Sequence, residues 1–99
     1  TEDGKIMIAS QSGSQLPAYA SGSLHVVWVV GAQKIVPNLN AGWKRISEYV
    51  LPLESARARK AYNLPPDKPG SAINKLLILN KEIKPGRLTM IVVKEVLGF

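Results

Sequence analysis

A chain of 99 residues, 45% of them hydrophobic, makes one domain at most and has enough apolar matter to argue against wholesale disorder. It carries no cysteine and one histidine, His25, which excludes a disulfide framework, thiolate chemistry and a multi-histidine metal centre. Thirteen Lys and Arg against seven Asp and Glu leave a formal net charge of +6, an excess that either spreads over solvated faces or meets an anionic partner.

The cations are dispersed, as at Lys5, Lys34, Lys68, Lys75 and Lys94, and the densest group is Arg57, Arg59 and Lys60. Aromatic residues recur without period and offer no base-stacking platform, so nucleic acid is the weakest partner to consider. The longest apolar run, residues 26–30, is far short of the ~20 residues a membrane span requires. Residues 1–3 are acidic where a signal peptide would be basic, and a cytoplasmic protein without membrane attachment is expected.

In chain order, residues 5–9 (KIMIA) read as a short strand. Residues 24–31 (LHVVWVVG) are the strongest strand, continuously apolar rather than alternating, the pattern of a strand covered on both faces. Pro37 and Asn38 then open a helix, capped by Asn38 or Asn40. Leu39, Trp43, Ile46 and Val50 step by four, three and four along one face. Gly42 weakens that helix and marks a candidate close packing point.

Pro52 cannot continue the helix but suits the first turn of a second one, predicted over residues 53–62. Residues 63–71 (NLPPDKPGS) are loop. Strands at 76–79 and 88–93, with Pro85-Gly86 in a type II turn between them, predict a C-terminal β-hairpin. The order β, β, α, α, β, β favours an α/β layered sheet, and Trp28 and Trp43 are assigned to its core. With about four strands and few helices, the layers look incomplete, so a partner or further chain is expected to finish them.

The stretch "IASQSGSQ" follows the first strand directly. In a parallel α/β sheet, ligands sit beyond the carboxyl ends of the strands. Ser12, Gly13, Ser14 and Gln15 would place backbone amides and neutral hydrogen-bonding groups there, suited to a phosphate, a carboxylate or sugar hydroxyls. The alternative is a solvated turn, since no Walker or dinucleotide spacing is present. Lys34, at the exit of the strongest strand, is the candidate cation for the same ligand. Asn74 and Lys75 reach that cleft only if their strand runs in a suitable direction.

Arg57 and Arg59, two apart on a helix, diverge and make no phosphate clamp. His25 has no carboxylate near it in sequence, and Glu48, Glu54, Glu82 and Glu95 specify no close acid–base pair. The serines lack the glycine spacing of a nucleophile elbow. No self-contained catalytic constellation is legible, and neither a metal nor a cofactor is called for.

At "IASQSGSQLPAYA", "VVWVVGAQKIVPNL", "RISEYVLPLESARA" and "INKLLILNKEIKPGRLTMIVVKEVLGF" the sequence resembles the LUD-domain family of lactate-utilisation-type proteins, over essentially its whole length. The resemblance implies a sugar-isomerase and CoA-transferase-like α/β fold with a mostly parallel sheet. It implies that Ser12, Gly13 and Ser14 correspond to a polar substrate-binding loop. Some family members belong to an iron–sulfur complex that oxidises L-lactate to pyruvate. Family chains are about twice as long, so this one is expected to match the C-terminal half, without the cysteines of partner subunits.

Three roles follow, in descending order. One is a LUD-type domain acting as a small-anion-binding or scaffolding component in organic-acid utilisation. Another is a non-catalytic assembly module that forms a homo-oligomer or joins another subunit. The last is a basic nucleic-acid binder.

Overall fold

The computed structural model describes residues 1–99. The chain is α/β, as its patterning predicts, with four short strands and one long helix. Strand β1, Ile6–Ser10, pairs antiparallel with β3, Lys75–Leu79, so that Ile6 faces Leu79 and Ser10 faces Lys75. Strand β2, Val26–Gly31, pairs in parallel with β4, Leu88–Val93, setting Val26 beside Leu88 and Gly31 beside Val93.

These are two separate two-stranded sheets. A single, mostly parallel sheet therefore gives way to one parallel and one antiparallel pair, and the expected C-terminal hairpin does not form. The turn itself is present: Gly86 has φ +74°, and Arg87 N donates to Lys84 O at 3.2 Å. A type II turn splays its flanking strands, whereas the mirror-image turns match strand twist. Residues 80–87 also separate β3 from β4, and each strand finds its partner far away in sequence.

The helix forms where the sequence places it. Asn38, extended at φ −155°, accepts the Ala41 N–H on Oδ1 at 2.9 Å and caps α1, Leu39–Arg45. The two predicted helices join, because α1 continues through a π-helical turn, Ile46–Val50, into α2, Leu51–Ala61. Pro52 sits just beyond that turn. Proline lacks an N–H and its ring crowds the carbonyl four residues earlier. A locally widened turn removes both conflicts, so the helix passes through unbroken.

Gly42 brings α1 against β1: a β-carbon there would lie 2.5 Å from Met7 Sδ. Little else is enclosed. Val26 and Ala58 are the only buried hydrophobic residues. Trp28 packs edge-on against Tyr19 with ring centroids 5.3 Å apart, while Trp43 is 45% exposed and does not belong to a core. The parallel pair leaves one face open, with Val27 60%, Val29 59% and Ile91 48% exposed. No helix is long and apolar enough to cross a membrane.

Candidate functional site

The loop after β1 is ordered by its own side chains. Ser10, buried at the strand end, accepts the Gly13 N–H on Oγ at 2.8 Å and donates to Gln15 Oε1 at 3.2 Å. Ser12 Oγ accepts the Ser14 N–H at 3.3 Å and lies 3.2 Å from Ser14 Oγ. Gly13 takes φ +79°, a conformation that costs glycine little and other residues more. The four loop residues named from sequence thus form one cluster.

The cation that joins them is Lys75. Because Ser10 and Lys75 are partners in the antiparallel register, the lysine lies across the loop and donates from Nζ to Ser12 O at 2.8 Å. Its aliphatic stem covers Gly13, where a β-carbon would stand 2.3 Å from Lys75 Cδ. Asn74 adds a bond from Nδ2 to Gln11 O at 3.2 Å, and its N–H donates to Ser10 O at the same distance. The strand direction required for Asn74 and Lys75 to reach the loop is the one the chain adopts.

Lys34 lies elsewhere. It lines the hollows beside the beginning of β1, with Thr1 and Met7, and Glu2 N donates to Val36 O at 2.9 Å nearby. The loop follows the opposite end of β1. Lys34 and residues 12–15 are therefore not parts of one pocket.

The chemistry available at the loop is hydrogen bonding and one positive charge. The Gly13 and Ser14 amides are already taken by the Ser10 and Ser12 hydroxyl oxygens, so the polar surface is made of side chains: the Ser12 and Ser14 hydroxyls, the Gln15 amide group and the Lys75 ammonium. His25 is exposed ahead of β2, away from any orienting carboxylate bond. Arg57 does not gather with Arg59; it holds Glu54, with Nε–Oε2 2.8 Å and Nη2–Oε1 2.5 Å. That guanidinium keeps the Glu54 carboxyl below the usual carboxylate range.

A polar residue overlooked in sequence is Arg87. It is 3% exposed and donates to Ala18 O at 2.7 Å, Tyr19 O at 3.0 Å, Ser23 O at 2.8 Å and Glu82 Oε2 at 2.8 Å. It ties the β4 entrance to the π-helical turn Ala18–Gly22 and is structural. Nothing in "KPGR" beyond the turn signals this, since the carbonyl partners lie more than sixty residues back.

The fold and its polar loop define an α/β unit with open apolar faces. A family model described as LUD domain matches residues 1–93, and the chain belongs to the LUD domain family. No curated protein and no solved structure matches it.

Proposed function

We propose that this LUD-family chain works as an assembly component in organic-acid utilisation, and that its partner is a second copy of itself. The observation that carries this is the near absence of buried apolar residues beside a parallel strand pair. Parallel pairs are found with both faces covered, because their connections place helices there. Here Val27, Val29 and Ile91 face solvent, while α1 and α2 expose Trp43 and Leu53. One copy's helix is the layer that the other copy's β2–β4 face lacks.

The area agrees. A globular chain of this mass exposes roughly 5,500 Å², and this one exposes 6895 Å². The excess is on the order of 1,400 Å², more than the ~800 Å² per partner of a standard interface. Sedimentation over a roughly hundredfold concentration range tests the reading by mass action. The expected result is a mass above 10.8 kDa, a melting temperature that climbs with concentration, and a return to monomer in Val29→Asp. A 10.8 kDa particle with one melting temperature throughout would overturn it.

A second reading is supported by Lys75 lying across residues 12–15. In it, the loop holds a small anionic metabolite through the Ser12 and Ser14 hydroxyls, Gln15 and the Lys75 ammonium. Lys34 has no part in that contact. Phosphate or lactate should stabilise the wild type against heat, and Lys75→Gln should remove the effect. Equal stabilisation of both proteins would refute the contact.

A further inference from the structure

The parallel pair begins at Val26 and Leu88, and beside these amino ends lies a hollow that neither the open sheet face nor the Lys75 loop uses. It encloses about 310 Å³ between the π-helical turn Ala18–Gly22 and the segment 81–87 that leads into β4. That volume stands at the lower end of the roughly 300–1,000 Å³ of small-molecule sites, so a small occupant fits. Ser21, Lys81, Glu82, Lys84 and Arg87 make most of its wall.

The frame is fixed from both sides. Arg87 donates to Ala18 O and Tyr19 O on one wall and to Glu82 Oε2 on the other. Lys84 N donates to Glu82 Oε1 at 3.0 Å, and Arg87 N donates to Lys84 O at 3.2 Å. The two lysines therefore stand on backbone that needs no ordering when a ligand arrives, which lowers the entropic cost of binding.

Three cations and one carboxylate face this hollow. Both oxygens of the carboxylate are occupied, one by the Arg87 guanidinium and the other by the Lys84 amide. The ion pairs of the chain are Lys5–Asp3, Arg57–Glu54 and Arg87–Glu82, and neither Lys81 nor Lys84 belongs to one. The Lys84 ammonium contributes least among the influences that hold the Glu82 carboxyl down, so it is not spent on that group. Two positive charges are left without a counter-ion.

A single carboxylate would leave one of these lysines unmet. A phosphate monoester carries close to two negative charges at neutral pH and offers three acceptor oxygens. Lysine meets phosphate as a point charge. The exposed Ser21 hydroxyl lines the same hollow and can donate to a third oxygen.

We infer that the hollow bounded by Ser21, Lys81 and Lys84 binds the phosphoryl group of a phosphate monoester. The group has two sources, a soluble ester and the headgroup of a lipid. The site is built within one chain and is independent of self-association and of the Lys75 loop.

Amide resonances followed during titration with glycerol 3-phosphate test the assignment residue by residue, and vesicles of phosphatidylcholine with and without phosphatidic acid test the headgroup. The signals of Ser21, Ile83 and Lys84 should shift saturably with glycerol 3-phosphate. Acetate should bind about tenfold more weakly, because one charge-assisted contact is lost. Lys81→Gln and Lys84→Gln should each weaken the ester about tenfold, while Lys44→Gln, on α1, should leave it within about twofold as a distant, screened charge. All three side chains are exposed, so these substitutions leave the frame intact. The signals of residues 12–15 report the Lys75 loop separately. Saturable binding of the soluble ester assigns the site to a metabolite. Binding of phosphatidic acid vesicles alone, abolished by the same two substitutions, assigns it to a lipid. No saturable binding in either arm, wild-type affinity in Lys81→Gln and Lys84→Gln, acetate binding as tightly as the ester, or equal weakening by Lys44→Gln would each overturn the inference.

Discussion

Arg87 shows how much a single buried cation can organise when every donor has a place. Three carbonyls and one carboxylate receive its guanidinium. Removing it strands Glu82 and leaves the Ala18–Gly22 turn without its anchor. Arg87→Ala should lower stability by about 3 kcal/mol, the scale of breaking a buried charged network. Arg87→Lys should recover only part of that, since an ammonium cannot reproduce the fork. Urea denaturation measures both. At this scale the sequence was read well where a residue acts on its neighbours, as with the Asn38 cap, the close packing at Gly42 and the positive φ of Gly86. It was read poorly where partners are remote. Lys34 and Lys75 differ little as isolated lysines, and only the β1–β3 register puts Lys75 over the loop.

Elements were legible in kind and less so in their joining. The apolar run at 24–31 and the stepped face from Leu39 to Val50 announce a strand and a helix by period alone. Pairing is not periodic: β3 and β4 are close in sequence, and each bonds a strand from the first third of the chain. The helix tests the account of Pro52. Because the π-helical turn already accommodates the ring, Pro52→Ala should change stability by less than about 1 kcal/mol, chiefly through the unfolded chain. A proline at Ser55, inside the regular α2 ladder, should cost about 3 kcal/mol or more. Thermal melts of the two variants separate a tolerated proline from a generally weak helix.

For the whole molecule, acid is a telling perturbation. Lys5 and Thr1 hold Asp3 down from 3.8 to about 2. Arg57 lowers Glu54, and the Lys84 amide, with help from Arg87, lowers Glu82. All three carboxyls bind protons less readily folded than unfolded. Their contribution is therefore complete above the ordinary carboxylate range and is lost as pH falls through the depressed values. The melting temperature should be flat near neutrality and decline from about pH 4 toward pH 2, a decline flattened by salt to the extent that it comes from the solvent-facing Asp3–Lys5 and Glu54–Arg57 pairs. An unchanged melting temperature over that interval would remove these pairs from the stability account. The Cα radius of gyration, 14.5 Å, exceeds the roughly 12.6 Å of a compact chain this long, and the extents are 46 × 27 × 23 Å. Composition promised a core because apolar residues are plentiful; it could not say that two small sheets would leave them outside.

Each of the four strands is bonded along one side only. The unused amides and carbonyls form a template that accepts any extended segment, correct or not. Edge-to-edge stacking of copies into filaments is thus the misassembly to which these strands lend themselves.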